Sequence, residues 1–378
     1  MAHAMTGSRS GGGRIAVLGA GLLGRLLAFR LRNDFSVELF DADCSDATQS
    51  AAYLAAAMLA PLAESAETSA GIMHLGERSL QMWPEILQTL SSEVFFQNQG
   101  SLLLAFEQDL PSLRQLERNL KGDAFQRVGT SRIQSLEPGV NERFRHGLFL
   151  PNEGQLDNRQ LLRALASEIE QSTSITWHQN SRVTFVDGDD WCGLRKLSGF
   201  DWVIDCRGIG SQETESDLRG VRGEVVRLHA PKVTLNRPVR LMHPRYPLYI
   251  APKPGHQFVV GATQIESEDR RLPTVRSTLE LLSACFSVHS GFAEAEVLQI
   301  QSGLRPAYPD NEPQMRVKGR RISLNGLHRH GYLLSPVLVD LCYCWLLEET
   351  VDPGYLQAVP DLLSVIENEE GAEYARAN

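Results

Sequence analysis

The alternation of apolar and polar positions opens the chain with a βαβ pattern. Residues 14–18 are a short apolar run with a β-branched start, placed directly before a glycine-rich turn. Residues 22–31 carry apolar side chains at helical spacing and stop at Asn33 and Asp34, and residues 36–40 predict a second strand. An Ala-rich helix over 51–60 ends at Pro61, and a long amphipathic helix over 68–90 is expected to kink or break at Pro84. The pattern continues with a strand at 101–106, a helix at 110–120 and a helix at 158–170 capped by Asp157 or Asn158. Strands return at 181–186 and 202–205. Residues 223–306 then read mainly as strands (224–228, 248–251, 258–261 and 296–301), interrupted by one helix over 273–288. An apolar helix over 335–349 and a last short helix over 360–370 complete the pattern.

This order, a mixed α/β half, a β-rich middle and a return to α/β, predicts a Rossmann-like nucleotide-binding domain interleaved with a second domain built on a mixed β-sheet. The expected division gives residues 14–92, 150–221 and 303–378 to the first and 93–149 and 222–302 to the second. The 378 residues suit two such units, with a core large enough to enclose a cofactor.

A hydrophobic fraction of 42% and a charged fraction of 22% fit a soluble globular protein. The net charge of −9 is diffuse and argues against nucleic acid or an anionic membrane as a partner. No apolar stretch is long enough to span a bilayer. Residues 1–13 are polar, rich in Gly and Ser, and lack a signal-peptide profile, so they predict a disordered tail. None of Cys44, Cys192, Cys206, Cys285, Cys342 and Cys344 forms a Cys-x-x-Cys pair. That leaves no metal site in view and makes free thiols in the cytoplasm the expectation.

Gly19-Ala20-Gly21-Leu22-Leu23-Gly24 is a G-x-G-x-x-G between a strand and a helix. The first glycine permits the turn, the second lets a pyrophosphate approach the backbone, and the third allows close helix–strand packing. The helix N-terminus offers free N–H donors to phosphate oxygens. Asp41 closes the second strand about twenty residues on, where its carboxylate can accept from ribose hydroxyls. The motif alone leaves both FAD and NAD open, and Asp41 disfavours NADP by repelling a 2′-phosphate.

Later segments carry a resemblance. They are Ala55 to Pro61, Gly154-Gln155-Leu156-Asp157, Asp205-Cys206-Arg207-Gly208, Arg222-Gly223-Glu224-Val225, Tyr249-Ile250-Ala251-Pro252 with Gly261-Ala262-Thr263, Gly303-Leu304-Arg305-Pro306 with Asp310, and His328 to Pro336. Together, and in this order, the chain resembles the FAD-dependent D-amino-acid oxidase family, in its glycine oxidase branch. It departs from that pattern at Ala57, where the family usually has Gly, at Cys206-Arg207, which replace two small residues, and at Pro247, where some relatives carry a polar side chain.

The resemblance implies non-covalent FAD held by Gly19, Gly21, Leu22, Leu23, Gly24, Asp41, Ala42, Thr48, Ala56, Ala57, Met58, Val183, Cys206, Arg207, Gly208, Gly303, Arg329, His330, Gly331, Tyr332, Leu333 and Leu334. Backbone N–H groups from Gly331 to Leu334 would meet the flavin's carbonyl edge. Arg305 would dock the substrate carboxylate, because a guanidinium makes two parallel charged hydrogen bonds and stays charged. Tyr249 would donate its phenol hydroxyl to the same group. Arg329 would face the substrate or the flavin, the alternative being a structural ion pair. Met242 and His243 either line the pocket or serve loop and core. No general base is assigned to His328 or His330, since hydride transfer from a neutral amine needs none.

The implied reaction oxidises a small amine or amino acid to an imine, which water converts to a 2-oxo acid and ammonia, while dioxygen takes the electrons and becomes hydrogen peroxide. Glycine would give glyoxylate, and the imine can instead feed thiazole synthesis for thiamine. Small-molecule substrate and dioxygen are the partners in view, and a homo-oligomer is compatible. Alternatives are a related oxidase or dehydrogenase for D-amino acids or secondary amines, and an FAD-binding tailoring or accessory protein without free amino-acid turnover.

Overall fold

Residues 15–18 are buried because the strand that holds them lies between two parallel neighbours. A computed structural model describes residues 12–120, 122–186, 189–192, 195–242 and 248–366. The tail up to residue 11, His243, Pro247 and the end of the helix expected over 360–370 lie outside these residues.

Among the described residues, four sheets organise the fold. The first has the order β21-β19-β20-β13-β1-β2-β9. It comprises β1 (Arg14–Leu18), β2 (Ser36–Phe40), β9 (Ile175–His178), β13 (Trp202–Asp205), β19 (Gln314–Lys318), β20 (Arg321–Asn325) and β21 (Leu363–Ile366), all parallel except the β19–β20 pair. Against it α1 (Leu22–Leu31) packs on α6 (Asn158–Gln171) and α8 (Gly331–Leu346), and α8 packs on α3 (Ala70–Gln88). Their facing side chains form the larger apolar core.

The second sheet has the order β18-β14-β17-β16-β15-β5-β7-β6. Its strands are β5 (Ser101–Leu104), β6 (Gln126–Gly129), β7 (His146–Leu150), β14 (Arg219–His229), β15 (Val239–Leu241), β16 (Leu248–Lys253), β17 (Gln257–Gly261) and β18 (Glu296–Ala307). One face is covered by α7 (Val275–Val288) over a separate core, while α4 (Leu110–Asn119) and α5 (Thr130–Leu136) pack on β7 and β6. A short sheet of β3 (Met58–Leu59), β4 (Phe96–Gln97) and β8 (Gly154–Leu156) forms a third layer. A fourth holds β10 (Val183–Val186), β11 (Asp189–Cys192) and β12 (Arg195–Lys196). The remaining α-helices among the described residues are α2 (Ala51–Leu54) and α9 (Pro353–Ala358).

Several elements differ from expectation. The helix predicted over 51–60 is only the four residues of α2. The chain then straightens at Ala55 (ψ 153°), turns at Ala57 (φ 51°) and pairs as β3 with β8. Alanine's helical propensity is a weak prior. Here tertiary partners outweigh it: Asn158 Nδ2 donates to the carbonyls of Ala52 and Tyr53 at 2.9 and 2.8 Å, and the Tyr332 hydroxyl donates to Ala52 O at 3.0 Å. Pro84 does not end its helix, which runs through it from Ala70 to Gln88. After Pro360–Leu362, a short 3-10 turn, residues 363–366 form a strand because β19 offers a free edge.

α8 starts four residues before its expected limit and contains Pro336. A proline removes the hydrogen bond to the carbonyl four residues back. That carbonyl belongs to Tyr332, and the buried Trp83 indole N–H donates to it at 3.0 Å, so α3 repairs the defect in α8.

Candidate active site

The glycine turn divides its labour among three positions. Gly19 has φ +93°, and a Cβ there would lie 2.8 Å from Arg207 Cα and from Cys206 O. A Cβ on Gly24 would overlap the Gly19 carbonyl, so this glycine serves helix–strand packing. A Cβ on Gly21 would meet no protein atom within 4 Å. Packing therefore does not require glycine at 21, and the open space beside it suits a ligand approaching the backbone.

Two helices present their first turns to this space. Gly21 caps α1 and His330 caps α8, neither with a side-chain hydrogen bond. Side chains of Ser69, Asp157 and Thr274 do cap α3, α6 and α7. The uncapped ends keep free N–H donors and the positive end of the helix dipole for an anion or a carbonyl.

Asp41 stands past the end of β2. One carboxylate oxygen accepts from the Ala20 N–H and the other from the Asp43 N–H, the latter at 2.6 Å. Burial nevertheless raises its pKa above the ordinary value. Each oxygen retains a lone pair for a hydroxyl donor.

From this turn a cavity of about 640 Å³ runs past Ala42, Thr48, Val183 and the 206–208 turn, then past Ala56, Ala57 and Met58, to Gly303, Arg305, Tyr249 and the start of α8. Its size is within the roughly 300–1,000 Å³ of small-molecule and cofactor sites. The far wall is the second sheet, where strand glycines make room for large neighbours. A Cβ on Gly223 would overlap the Arg305 guanidinium, and one on Gly261 would sit 2.6 Å from the Tyr249 hydroxyl. Val221 faces Arg305 across β14–β18, and Tyr249 faces Gly261 across β16–β17.

Arg305 donates to the Thr263 carbonyl from both terminal nitrogens at 3.2 Å and to the Arg222 carbonyl at 3.5 Å. Among the described residues no carboxylate pairs with it. Burial pushes its pKa down, partly countered by Tyr249. The Tyr249 hydroxyl has no hydrogen-bond partner among the described residues, and burial raises its pKa. A cation satisfied only by carbonyls and a phenol donor without an acceptor thus share one wall, and a carboxylate answers both.

Arg329 behaves differently. Its Nε lies 2.5 Å from Glu64 Oε2, an ion pair without hydrogen-bond alignment, and its Nη1 donates to Glu67 and, at 3.1 Å, to Gln264 Oε1. Arg240 holds the other Glu64 oxygen at 2.6 Å. Burial alone would raise the Glu64 pKa, but Arg240 and Arg329 outweigh it and hold the carboxyl well below its ordinary range. Arg329 is on the cavity wall as a member of this ion-pair network, and its buried Nη2 lacks a hydrogen-bond partner among the described residues. His328 and His330 flank it. Burial first, then neighbouring arginines, push His328 down to about 3, and burial and the same charges leave His330 at about 4. Both imidazoles are neutral at ordinary pH.

The donor set fits a flavin dinucleotide: free helix-end N–H groups, a vacant face over Gly21, an acid at the strand end and a long cavity beyond. Residues 14–341 match the family described as DAO, FAD dependent oxidoreductase. The chain belongs to the DAO family of FAD-dependent oxidoreductases. A DAO relative in Rhizobium etli, named for thiamine biosynthesis oxidoreductase ThiO, is 36% identical over 343 residues, which cover 90% of this chain and 98% of the relative. The glycine oxidase of Geobacillus kaustophilus is 24% identical, covering 85% of this chain and 90% of its own. Its crystal structure superposes with a TM-score of 0.77 at 22% identity, over 89% of this chain and 96% of that one. Iminodiacetate oxidase from Chelativorans sp. BNC1 gives the same TM-score at 23% identity, over 90% of this chain and 96% of that one.

Most residues expected around FAD in this DAO chain line the cavity. Gly24 and Leu334 do not: Gly24 packs against Gly19, and Leu334 is buried in the core with its N–H donating to the His330 carbonyl at 2.8 Å. Only the N–H groups of Gly331, Tyr332 and Leu333 can then face a ligand. Arg207 reaches the wall, but its guanidinium is held by Asp205 at 2.7 Å, Glu213 at 2.5 Å and the Val183 carbonyl at 3.1 Å. Met242 is buried in the small core under β5 and β7. Sequence reasoning missed Glu64, Arg240 and Gln264, which carry no local pattern and meet only through the fold. It also missed Arg25, whose buried guanidinium donates to the carbonyls of Ala20, Ser45 and Leu162 behind the glycine turn. An arginine on the apolar face of the motif's helix was the available signal.

Proposed function

We propose that this chain oxidises the amine carbon of a small amino acid, with glycine as the leading substrate. The supporting observation is Arg305, a guanidinium on the wall of a cavity that begins at the dinucleotide turn, bonded only to carbonyl oxygens. Arg305 binds the substrate carboxylate in a bidentate grip, and the Tyr249 hydroxyl donates to the same group. The carboxylate is thereby fixed, and the adjacent Cα is presented towards Ala56, Ala57 and Met58. The expected cofactor contacts of Gly19 to Leu23, Asp41, Thr48, the 206–208 turn and the α8 start hold FAD non-covalently. When bound, FAD supplies the acceptor for a hydride from Cα–H and passes the two electrons to dioxygen, giving hydrogen peroxide. With pKa values pushed down to about 3 and 4, His328 and His330 are weak bases, so the substrate amine reacts as the neutral fraction that solution supplies and hands no proton to an imidazole. The imine product either hydrolyses to the 2-oxo acid and ammonia or serves thiamine biosynthesis, as the name of the Rhizobium etli relative suggests. Unpaired cysteines among the described residues are in keeping with a cytoplasmic setting.

A second reading is favoured by Arg270. It lines the cavity, is exposed, and has no partner among the described residues. A substrate with a second carboxylate would engage it. Absorption spectra of the purified protein, followed by anaerobic titration with glycine, sarcosine, iminodiacetate and bulky D-amino acids, test both. Bleaching by glycine at the lowest concentration supports the leading reading, and bleaching by iminodiacetate alone supports the second. A colourless protein that FAD cannot reconstitute, or one bleached only by bulky amino acids, refutes the proposal.

A further inference from the structure

Two guanidinia of the cavity are held by consecutive residues just past β17. Arg305 donates to the Thr263 carbonyl from both terminal nitrogens at 3.2 Å. Arg329 donates from Nη1 to Gln264 Oε1 at 3.1 Å. The two heads therefore share one neighbourhood, and the charge of Arg329 is among those felt at Arg305. One small molecule with two carboxylates can address both.

Arg329 is already occupied, and its two acids are held unequally. Glu64 is locked in place, with Arg329 Nε 2.5 Å from one oxygen and Arg240 2.6 Å from the other. Glu67 follows one turn later, its N–H donating to the Glu64 carbonyl at 2.9 Å. Its carboxylate meets Arg329 Nη1 and, among the described residues, no second cation, and its side chain is 40% exposed. An ion pair so exposed contributes little and is screened by salt. Glu67 is therefore the replaceable partner. It takes Nη1, while the buried Nη2 beside it has no hydrogen-bond partner among the described residues. A guanidinium offers adjacent nitrogens as a fork to a carboxylate, and this edge is half filled.

We propose that Glu67 determines specificity: by filling Nη1 of Arg329 it turns away amines that carry a second carboxylate and leaves the cavity to amino acids with one. The inference rests on Arg305 docking the substrate carboxylate. With Glu67 in place, the charges of Arg240 and Arg329 are balanced by Glu64 and Glu67, and Arg305 is left to call for a single anion. A second carboxylate has to displace Glu67 or lie beside it, and like charges side by side oppose that. Once the charge at 67 is removed, the Nη1–Nη2 edge opens to a bidentate carboxylate. Glu64 cannot play this part, because Arg240 holds it from behind.

The test uses the FAD-loaded protein, and its first arm needs no turnover. Acetate and malonate, with one and two carboxylates, are titrated against the flavin absorbance of wild type, Glu67→Gln and Glu67→Gln/Arg329→Gln. Glu67 is exposed, so the single variant folds, which circular dichroism checks. In Glu67→Gln, malonate binding is expected to tighten about tenfold relative to acetate, and the gain disappears in the double variant. In the second arm, peroxide release, the kcat/KM of iminodiacetate relative to glycine rises by a similar factor in Glu67→Gln, mainly through KM. A malonate-to-acetate ratio in Glu67→Gln within about twofold of wild type, the size of an idle surface pair, overturns the proposal. So does a gain that survives in the double variant, since it would belong to the exposed Arg270 instead. Arg305→Met separates the two levels. If it loses acetate binding while Glu67→Gln leaves the ratio unchanged, this inference alone fails. If it binds acetate as wild type does, or wild type binds none, the carboxylate docking at Arg305 fails with it.

Discussion

Replacing Arg305 by methionine separates a binding group from a structural one. The side chains are similar in length, so the hollow over Gly223 stays filled. In the folded protein the guanidinium bonds only to the carbonyls of Thr263 and Arg222, and its burial lowers its pKa. A buried cation without a carboxylate partner is a cost to the fold, and its removal leaves Tm unchanged or slightly raised. The reaction suffers instead. Removing one partner of a desolvated, bidentate ion pair costs about 2–4 kcal/mol, which is roughly a 30- to 1,000-fold loss in kcat/KM. Arg305→Lys keeps the charge but not the fork and falls between. Peroxide release with glycine gives the efficiency, and ethylamine, which lacks a carboxylate, is the control, with the same low rate expected in wild type and variant. Two results would refute the argument: activity on glycine within threefold of wild type, or an equal proportional loss on ethylamine.

Three further outcomes are expected. Gly21→Val leaves a folded protein that does not retain FAD, because its Cβ meets open space, whereas Gly24→Val fails to fold because its Cβ overlaps Gly19 O; circular dichroism and flavin absorbance together distinguish them. Glu153 is buried, accepts from the Ala63 N–H at 2.7 Å and from Ser101, and burial raises its pKa to about 7. The folded state therefore keeps a proton that the unfolded chain releases near 4.5, so this group's stabilisation is complete below about pH 4.5 and is lost as pH rises to 7; denaturant titrations should show that slope flattened in Glu153→Gln. Because His328 and His330 lie near 3 and 4, single substitutions to Gln should leave any inflection of kcat/KM between pH 5 and 9 in place, and loss of such an inflection would show that a histidine carries it.

The glycine turn was legible because its requirements are local. Strand, turn, helix and acid follow one another within about thirty residues, and the left-handed turn at Gly19 and the packing of Gly24 on Gly19 are settled inside that stretch, although Cys206 and Arg207 also crowd Gly19 from afar. The strand carrying Tyr249 was legible, but Arg305 was expected in a turn past a strand ending at 301, whereas β18 runs on through Arg305 and Pro306 to Ala307 because β14, starting at Arg219, pairs with it throughout. Where expectation failed, distant atoms decided. Propensity favoured a helix through Ala57, yet Asn158 and Tyr332 hold the carbonyls of α2, and β8 captures Met58 and Leu59. The cost is visible at Ala57, whose φ of 51° is the left-handed region that glycine tolerates best. Likewise nothing near Glu64 in sequence announces that Arg240 and Arg329 converge on it.

That convergence bears on how charge is distributed along the cavity. Arg240 and Arg329 bring two positive charges to the wall, but Glu64 and Glu67 meet them. Arg207 is likewise met by Asp205 and Glu213. Apart from the exposed Arg270, the positive groups left without a carboxylate partner that bear on the cavity lie at two places. At one end are the uncapped start of α1 and, behind it, Arg25 bonded only to carbonyls. At the other is Arg305, also bonded only to carbonyls. In a chain of net charge −9, positive potential has been left unmatched at both ends of one hollow and neutralised along its middle. Unpaired charge in a low-dielectric site is unfavourable unless a counter-charge arrives. The arrangement therefore calls for two anions spaced along the cavity, a diphosphate at the glycine turn and a carboxylate at Arg305, with an uncharged ring system fitting the stretch between them.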